Sequence, residues 1–292
     1  MMKTSKIGSG AMAHDINIPV RQMNFGFAQV AIPRHHAGNN PMITAIFSNL
    51  SAAIPEGERF FVSSVRHFRQ QITDPTLQKA VAGFIGQEAF HAREHDQFNL
   101  ALGKLGLPMQ RHEQLFFKAI HLLEKLPPKA QLAATAALEH YTAIIAAQLM
   151  RDDFMRAQLP PLMHDFWMWH AIEESEHKAV AFDVYQQISG SYPLRASIML
   201  LVSAVYWPLV LGLVFKQLLQ SGEIWNLRKT AYGVWVALGP KGFFTKMTFE
   251  YLDYLKPNFH PNQHDTDALL QYWQDQLMQS EGRLTTYLKQ AA

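Results

Sequence analysis

In the segment Gln87-Glu88-Ala89-Phe90-His91-Ala92-Arg93-Glu94-His95, Glu88 and His91 stand three positions apart. On a helix that spacing puts a carboxylate and an imidazole on one face, where both reach the same ion. A second copy of the spacing lies downstream, in Glu174-Ser175-Glu176-His177. One Glu-x-x-His is a weak signal, because both residue types are ordinary at surfaces. Two copies on two long helices, joined by single glutamates on two further helices, make up the ligand set of a di-metal carboxylate bundle.

Working outward, the chain offers those further helices. Pro41 can open a short helix to about Ala53, and Pro55 fits the first turn of the next, Glu56 to Gln71. There Glu58 falls in an apolar stripe with Phe61, Val62, Val65 and Phe68. Asp74-Pro75 caps and starts a helix to about Leu105, whose stripe runs Val81, Phe84, Ile85, Glu88, His91, His95 and Phe98. A shorter amphipathic helix follows over about Met109 to Glu124. Pro127-Pro128 opens an alanine-rich helix from Lys129 to about Ala157, with Glu139 the only acid in mid-run. Pro160-Pro161 starts another, to about Ser189, with Trp167, His170, Glu174, His177, Ala181 and Val184 on one face. No strand-like alternation is sustained, so an all-α fold is expected, with a four-helix bundle over 41–190. The segment 105–128 is long enough for a crossover between the second and third long helices. An irregular arm, 1–40, precedes the bundle, and His35 and His36 are expected in its loops.

The absence of cysteine excludes disulfides, thiolate zinc sites, iron–sulfur clusters and cysteine nucleophiles, so a metal must be held by His, Asp and Glu. A net charge of +2 leaves no electrostatic footprint for nucleic acid, and histidines are abundant at 14. Met1 to Asn24 has no continuous apolar run, which predicts a cytoplasmic protein. The region 191–292 differs in character. Ala196 to Phe215 carries no charge, and as a helix it would extend about 30 Å, the thickness of a bilayer core. A second uncharged run, Thr230 to Pro240, follows Arg228-Lys229 and contains Tyr232 and Trp235. Two readings stay open: an apolar helix covering the bundle, or contact with the inner face of a membrane.

The expected metal ligands are Glu58, Glu88, His91, Glu139, Glu174 and His177, with His170 as an additional nitrogen ligand sharing the face of Glu174 and His177. His95 continues the other stripe, either as a ligand or as a hydrogen-bond partner behind the ligands. Glu173, Glu176, Glu94 and Asp96 are expected behind the ligands or in solvent. Four ligand carboxylates balance two divalent ions, and without cations such a buried set would repel itself or take up protons.

The segments Pro55-Glu56-Gly57-Glu58-Arg59-Phe60-Phe61, Gln87-Glu88-Ala89-Phe90-His91 with His95, Glu139-His140-Tyr141-Thr142 and Trp169-His170-Ala171-Ile172-Glu173-Glu174-Ser175-Glu176-His177-Lys178 together resemble the bacterial family of predicted metal-dependent hydrolases, over nearly the whole chain. The helix pattern is also similar to ferritin-like di-iron proteins, which implies a ferritin-like bundle with an added apolar helical C-terminal region. The spacing of His170, Glu174 and His177 resembles that of the p-aminobenzoate N-oxygenase group, whose cofactor carries a third histidine.

Two chemistries follow, beside a third, non-catalytic reading as a metal-storage or structural metal-binding protein, which the apolar C-terminal segment disfavours. As an oxygenase, two ions, iron in the first place with manganese and zinc as alternatives, would use O2 and an electron donor to oxidise a small apolar substrate. As a hydrolase, the ions would activate water, with Glu173 as a base. The aromatic residues Phe84, Phe90, Trp167 and Trp169 favour the first, since such an interior suits no highly charged phosphoester. No Gly-x-Ser-x-Gly elbow supports serine catalysis.

Overall fold

The computed structural model describes residues 18–289, so the first part of the N-terminal arm lies outside the described residues. The described chain is all-α. Among the described residues, β-pairing is confined to an isolated bridge between Met23 and Leu288.

The first helix, α1, runs unbroken over Pro41–Phe68. Asn40 caps it, its side chain accepting from the backbone N–H of Met42 and Ile43. The expected break at Pro55 does not occur. A proline in a helix interior leaves the carbonyl four residues back without its partner, at a cost of about 3 kcal/mol or more. Here that carbonyl belongs to Ser51, and Asn99 of the neighbouring helix donates to it at 3.0 Å. The vacated backbone bond is replaced by a side chain, and the helix continues.

Helix α2 spans Pro75–Lys104 behind its Asp74 cap, and α3 spans Met109–Leu123. Helix α4, Pro128–Arg151, ends earlier than its periodicity suggests. The Asp152 side chain accepts from Met155 N–H and pairs with Lys246, and so starts a separate short α5, Asp153–Ala157. The last long helix of the set is likewise divided, into α6, Pro161–His177, and α7, Val180–Ile188. At the division Lys178 Nζ donates to the His264 carbonyl and to Thr266 Oγ1.

Helices α1, α2, α4 and the α6–α7 pair pack around one core. Ser51 meets Asn99 while Glu58 meets His91, so α1 and α2 are antiparallel. Ser64 meets Thr135 while Ile43 and Leu149 line one cavity, so α1 and α4 are antiparallel too. α2 and α4 therefore run the same way, and the connection carrying α3 crosses the length of the core. α3 itself packs on α1 and α2.

The arm from Ile18 onward lies over α2 where two glycines make room. A Cβ on Gly83 would fall 2.6 Å from Ile18, and one on Gly86 would fall 2.4 Å from Val20. His35 and His36 are spent in the arm, on Glu223 and on Ser48 Oγ.

Helix α8, Tyr192–Gln220, is longer than the uncharged run within it, and packs on α1 and α4. Helix α9, Leu227–Leu238, crosses the start of α1 at Gly233, whose Cβ would fall 2.5 Å from Met42. Two shorter helices follow, α10 over Thr248–Asp253 and α11 over Asp267–Leu277.

Asn99→Ala should lower unfolding stability by about 1–3 kcal/mol, because it strips a buried carbonyl of its donor. The loss should shrink in a Pro55→Ala background, where the new N–H can serve Ser51; equal losses in both backgrounds, by denaturant titration, would refute this account of the unbroken helix.

Candidate metal centre

The core face of each helix in the set delivers its polar residue to one place. α1 supplies Glu58, α2 Glu88 and His91, α4 Glu139, and α6 His170, Glu174 and His177; none is more than 5 % exposed. They form two groups: Glu58, His91, His170 and Glu174, and Glu88, Glu139 and His177. Within each group one ligand atom per residue lies within 4.8 Å of all the others.

Glu174 faces both groups. Its Oε1 is 3.5 Å from His91 Nδ1 and 3.3 Å from His170 Nε2, while its Oε2 is 3.5 Å from His177 Nε2. Glu88 Oε1 is likewise shared, 3.1 Å from His177 Nε2 and 3.7 Å from His91 Nδ1. Glu58 Oε1 reaches His91 Nδ1 at 3.7 Å, and Glu139 Oε2 reaches His177 Nε2 at 3.5 Å. For metal–ligand bonds of about 2.0–2.2 Å, neighbouring donor atoms should lie about 3–3.6 Å apart. Most of these separations fall in or next to that range.

The hydrogen bonding fits cations as well. Both oxygens of Glu88 and of Glu139, Glu58 Oε2, Glu174 Oε2, His91 Nδ1 and His177 Nε2 are buried and make no hydrogen bond. Orphaned acceptors on this scale would each cost folding energy unless another charge meets them. The far edges of the two histidine rings are fully engaged. His91 Nε2 bonds Glu173 Oε2 at 2.9 Å, and His177 Nδ1 bonds Gln87 Oε1 at 2.9 Å. Because a carboxylate and an amide oxygen accept, both rings present an N–H on that edge, which leaves His91 Nδ1 and His177 Nε2 as the atoms a cation would take, displacing any proton there.

Burial, followed by the neighbouring carboxylates, pushes Glu58, Glu88 and Glu139 well above the ordinary carboxylate range. For Glu174 burial acts the same way, but the three surrounding histidines outweigh it and hold it well below. Burial opposes protonation of His91, yet its bond to Glu173 and the nearby Glu174 carboxylate lift it to about 9. His170 is pushed down to about 3 by burial and then by His91. A core of this kind holds protons that cations would displace.

His95 and Glu173 do not join the groups. His95 Nδ1 bonds Ser51 Oγ at 2.8 Å, and Ser51 Oγ donates to Asn99 Oδ1 at 2.6 Å, which assigns the ring proton to Nδ1. The ring lies beside His170, 4.9 Å between centroids, rather than among the carboxylates. Glu173, expected as a base, stands behind His91 with its other oxygen held by Arg21 at 3.0 Å. With both oxygens engaged it positions His91. Glu176 joins the same outer layer, bonded to Arg21, Gln87 and Gln274. Glu94 accepts from Phe25 N–H, and Asp96 pairs with Arg59 at the surface.

Sequence reasoning passed over Gln87, Arg21, Gln274, Ser51 and Asn99. Gln87 could have been flagged by its place beside Glu88; Arg21 and Gln274 carry no local signal, since only tertiary structure brings them to α6.

An apolar cavity of about 240 Å³ lies between α1, α3, α4 and α8. Its walls include Phe61, Phe116, Leu138, Ile145, Val202 and Leu209, and Glu58 is the one charged residue lining it.

A family model described as predicted metal-dependent hydrolase matches residues 19–265, a span that includes every residue of the two groups. No curated protein and no solved structure matches the chain.

Acids raised by the fold bind protons more tightly folded than unfolded, so metal-free protein should lose thermal stability as pH rises above their ordinary value of 4.5. Fe(II), Mn(II) or Zn(II) added at alkaline pH should restore it; a flat profile with no response to metal would count against a buried cation site. Glu88→Ala, which removes a carboxylate shared by the two groups, should abolish binding of the ion pair in elemental analysis. Glu173→Gln should keep the ligands but weaken metal affinity by about 10–100-fold.

Proposed function

The chain belongs to the family of predicted metal-dependent hydrolases, and from that premise we propose that it is a two-metal enzyme that oxidises a small apolar organic substrate with O2. The observation that carries this reading is the apolar cavity with a ligand carboxylate, Glu58, in its wall. Two iron ions, with manganese or zinc as alternatives, would be held by Glu58, His91, His170 and Glu174 on one side and Glu88, Glu139 and His177 on the other, and would supply reducing equivalents to O2.

The chain's own residues do the rest. Phe61, Leu138 and Ile145 would bind the substrate by apolar contact against Glu58. Tyr141 and Thr142 also line the cavity, but their hydroxyls are directed elsewhere: Tyr141 bonds Ser203 Oγ at 2.6 Å, and Thr142 donates to the Glu139 carbonyl at 3.0 Å. The aromatic shell around His91 and His95, formed by Trp169, Phe166 and Trp167, keeps water from the histidine side of the site. His91 and His177 are held in one tautomer by Glu173 and Gln87, so neither ring needs to reorganise when an ion binds. An external electron donor completes the reaction.

A second reading, hydrolysis of an apolar ester through activated water, is favoured by the family's description. Against it stands the lining of the cavity, where the titratable groups among the described residues are Glu58, Tyr141 and Tyr206, leaving no carboxylate besides Glu58 as base.

Protein loaded anaerobically with Fe(II) should consume O2 and transfer oxygen to members of a panel of apolar compounds, read by mass spectrometry. Leu138→Trp should fill the cavity and suppress turnover at unchanged metal content. Ester cleavage by the zinc-loaded protein, with no O2 uptake by the iron-loaded form, would overturn the oxidative reading in favour of the hydrolytic one.

A further inference from the structure

Helix α8 is apolar on both sides, yet only 33 % of its most apolar stretch is buried. Its outer face presents Leu200, Leu211, Phe215 and Leu219, which are between 48 % and 57 % exposed. Large apolar side chains are also exposed on α9 and in the turn before it, where Trp235 and Trp225 are 63 % and 76 % exposed. A patch of this kind is costly in water and marks a surface that something apolar covers.

Charge indicates the occupant. Between Ala196 and Phe249 the chain carries five basic residues and a single acid, Glu223. That acid is spent on His35. Lys216, Arg228, Lys229 and Lys241 are exposed and make no ion pair among the described residues. Unpaired cations beside exposed tryptophans and aliphatic side chains match the headgroup and upper acyl layers of an anionic bilayer.

The helix cannot cross that bilayer without leaving the protein. It is tied down along its length: Arg195 donates to the Tyr254 and Lys256 carbonyls, Ser203 bonds Tyr141 and Tyr251, and Gln217 Oε1 accepts from Asn49 at 3.0 Å. An in-plane placement keeps all of these. It also brings the rim of the Glu58 cavity to the lipid, since the rim residues Leu201 and Val205 are themselves about half exposed (46 % and 47 %).

We propose that α8 and α9 form a docking face that lies in the plane of an anionic lipid surface, and that the substrate is a bilayer-dissolved apolar molecule drawn into the cavity past Leu201 and Val205. The second half of this inference rests on the oxidative reading above; the first half does not.

The test is flotation of the full-length, metal-loaded protein with vesicles of phosphatidylcholine, with and without a third of phosphatidylglycerol. Binding is expected to the anionic vesicles, with tryptophan fluorescence quenched by acyl-chain bromines. Leu200→Glu combined with Leu219→Glu, which touches neither the cavity nor the metal ligands, should weaken vesicle binding at least about tenfold at unchanged metal content. Arg228→Glu with Lys229→Glu should remove the preference for anionic lipid. Failure of the wild-type protein to bind either vesicle would overturn the docking face, and so would a stable dimer in solution that Leu200→Glu and Leu219→Glu dissociate, since the patch would then join two copies. Vesicle binding without O2-dependent turnover would sink the catalytic reading alone, whereas turnover of a water-soluble apolar compound without vesicle binding would sink the docking face alone.

Discussion

Burying ionised carboxylates is the constraint on which the rest of this structure depends. Glu58, Glu88, Glu139 and Glu174 converge in the middle of a helical core with no lysine or arginine among them. A buried carboxylate without a partner charge costs several kcal/mol even after relaxation. Glu174 is held ionised by its three histidines. The other three are stable as acids or beside cations, and cations would meet the oxygens that have no hydrogen-bond partner.

The outer layer converts that set into a shaped site. Glu173 and Gln87 each hold the far edge of a histidine ring, and are themselves held by Arg21 of the arm and by Glu176. The arm is thus a structural part of the centre, and the glycines at 83 and 86 are what let it lie so close to α2. On the other side, Pro55 frees the Ser51 carbonyl, Asn99 takes it up, and the same Ser51 and Asn99 fix the tautomer of His95. A proline that would ordinarily break a helix has become the start of a hydrogen-bond chain ending beside His170.

The apolar parts of the chain divide between two tasks. The inner face of α8 closes the bundle over the Glu58 cavity, and its outer face remains exposed. The uncharged run in the sequence is therefore neither a fully buried helix nor a free one. Gln217 on the inner side and Lys216 on the outer side mark the division within a single turn.

Much of this was legible from residue spacing alone. The positions of Glu58, Glu88, His91, Glu139, His170, Glu174 and His177 in apolar stripes predict that they share a core, because helical periodicity directs every residue of a stripe to the same side. Helix existence followed from caps and prolines for the same local reason. What tertiary structure decided were the matters in which distant segments meet. It closed the break expected at Pro55, because the replacement donor lies 44 residues beyond it in sequence, on α2. It placed Glu173 behind His91 with both oxygens engaged, and His95 Nδ1 on Ser51, because both depend on partners, Arg21 and Ser51, that carry no signal near the motif. Spacing along a helix determines which face a side chain occupies; which atom stands opposite it is set only when the helices pack.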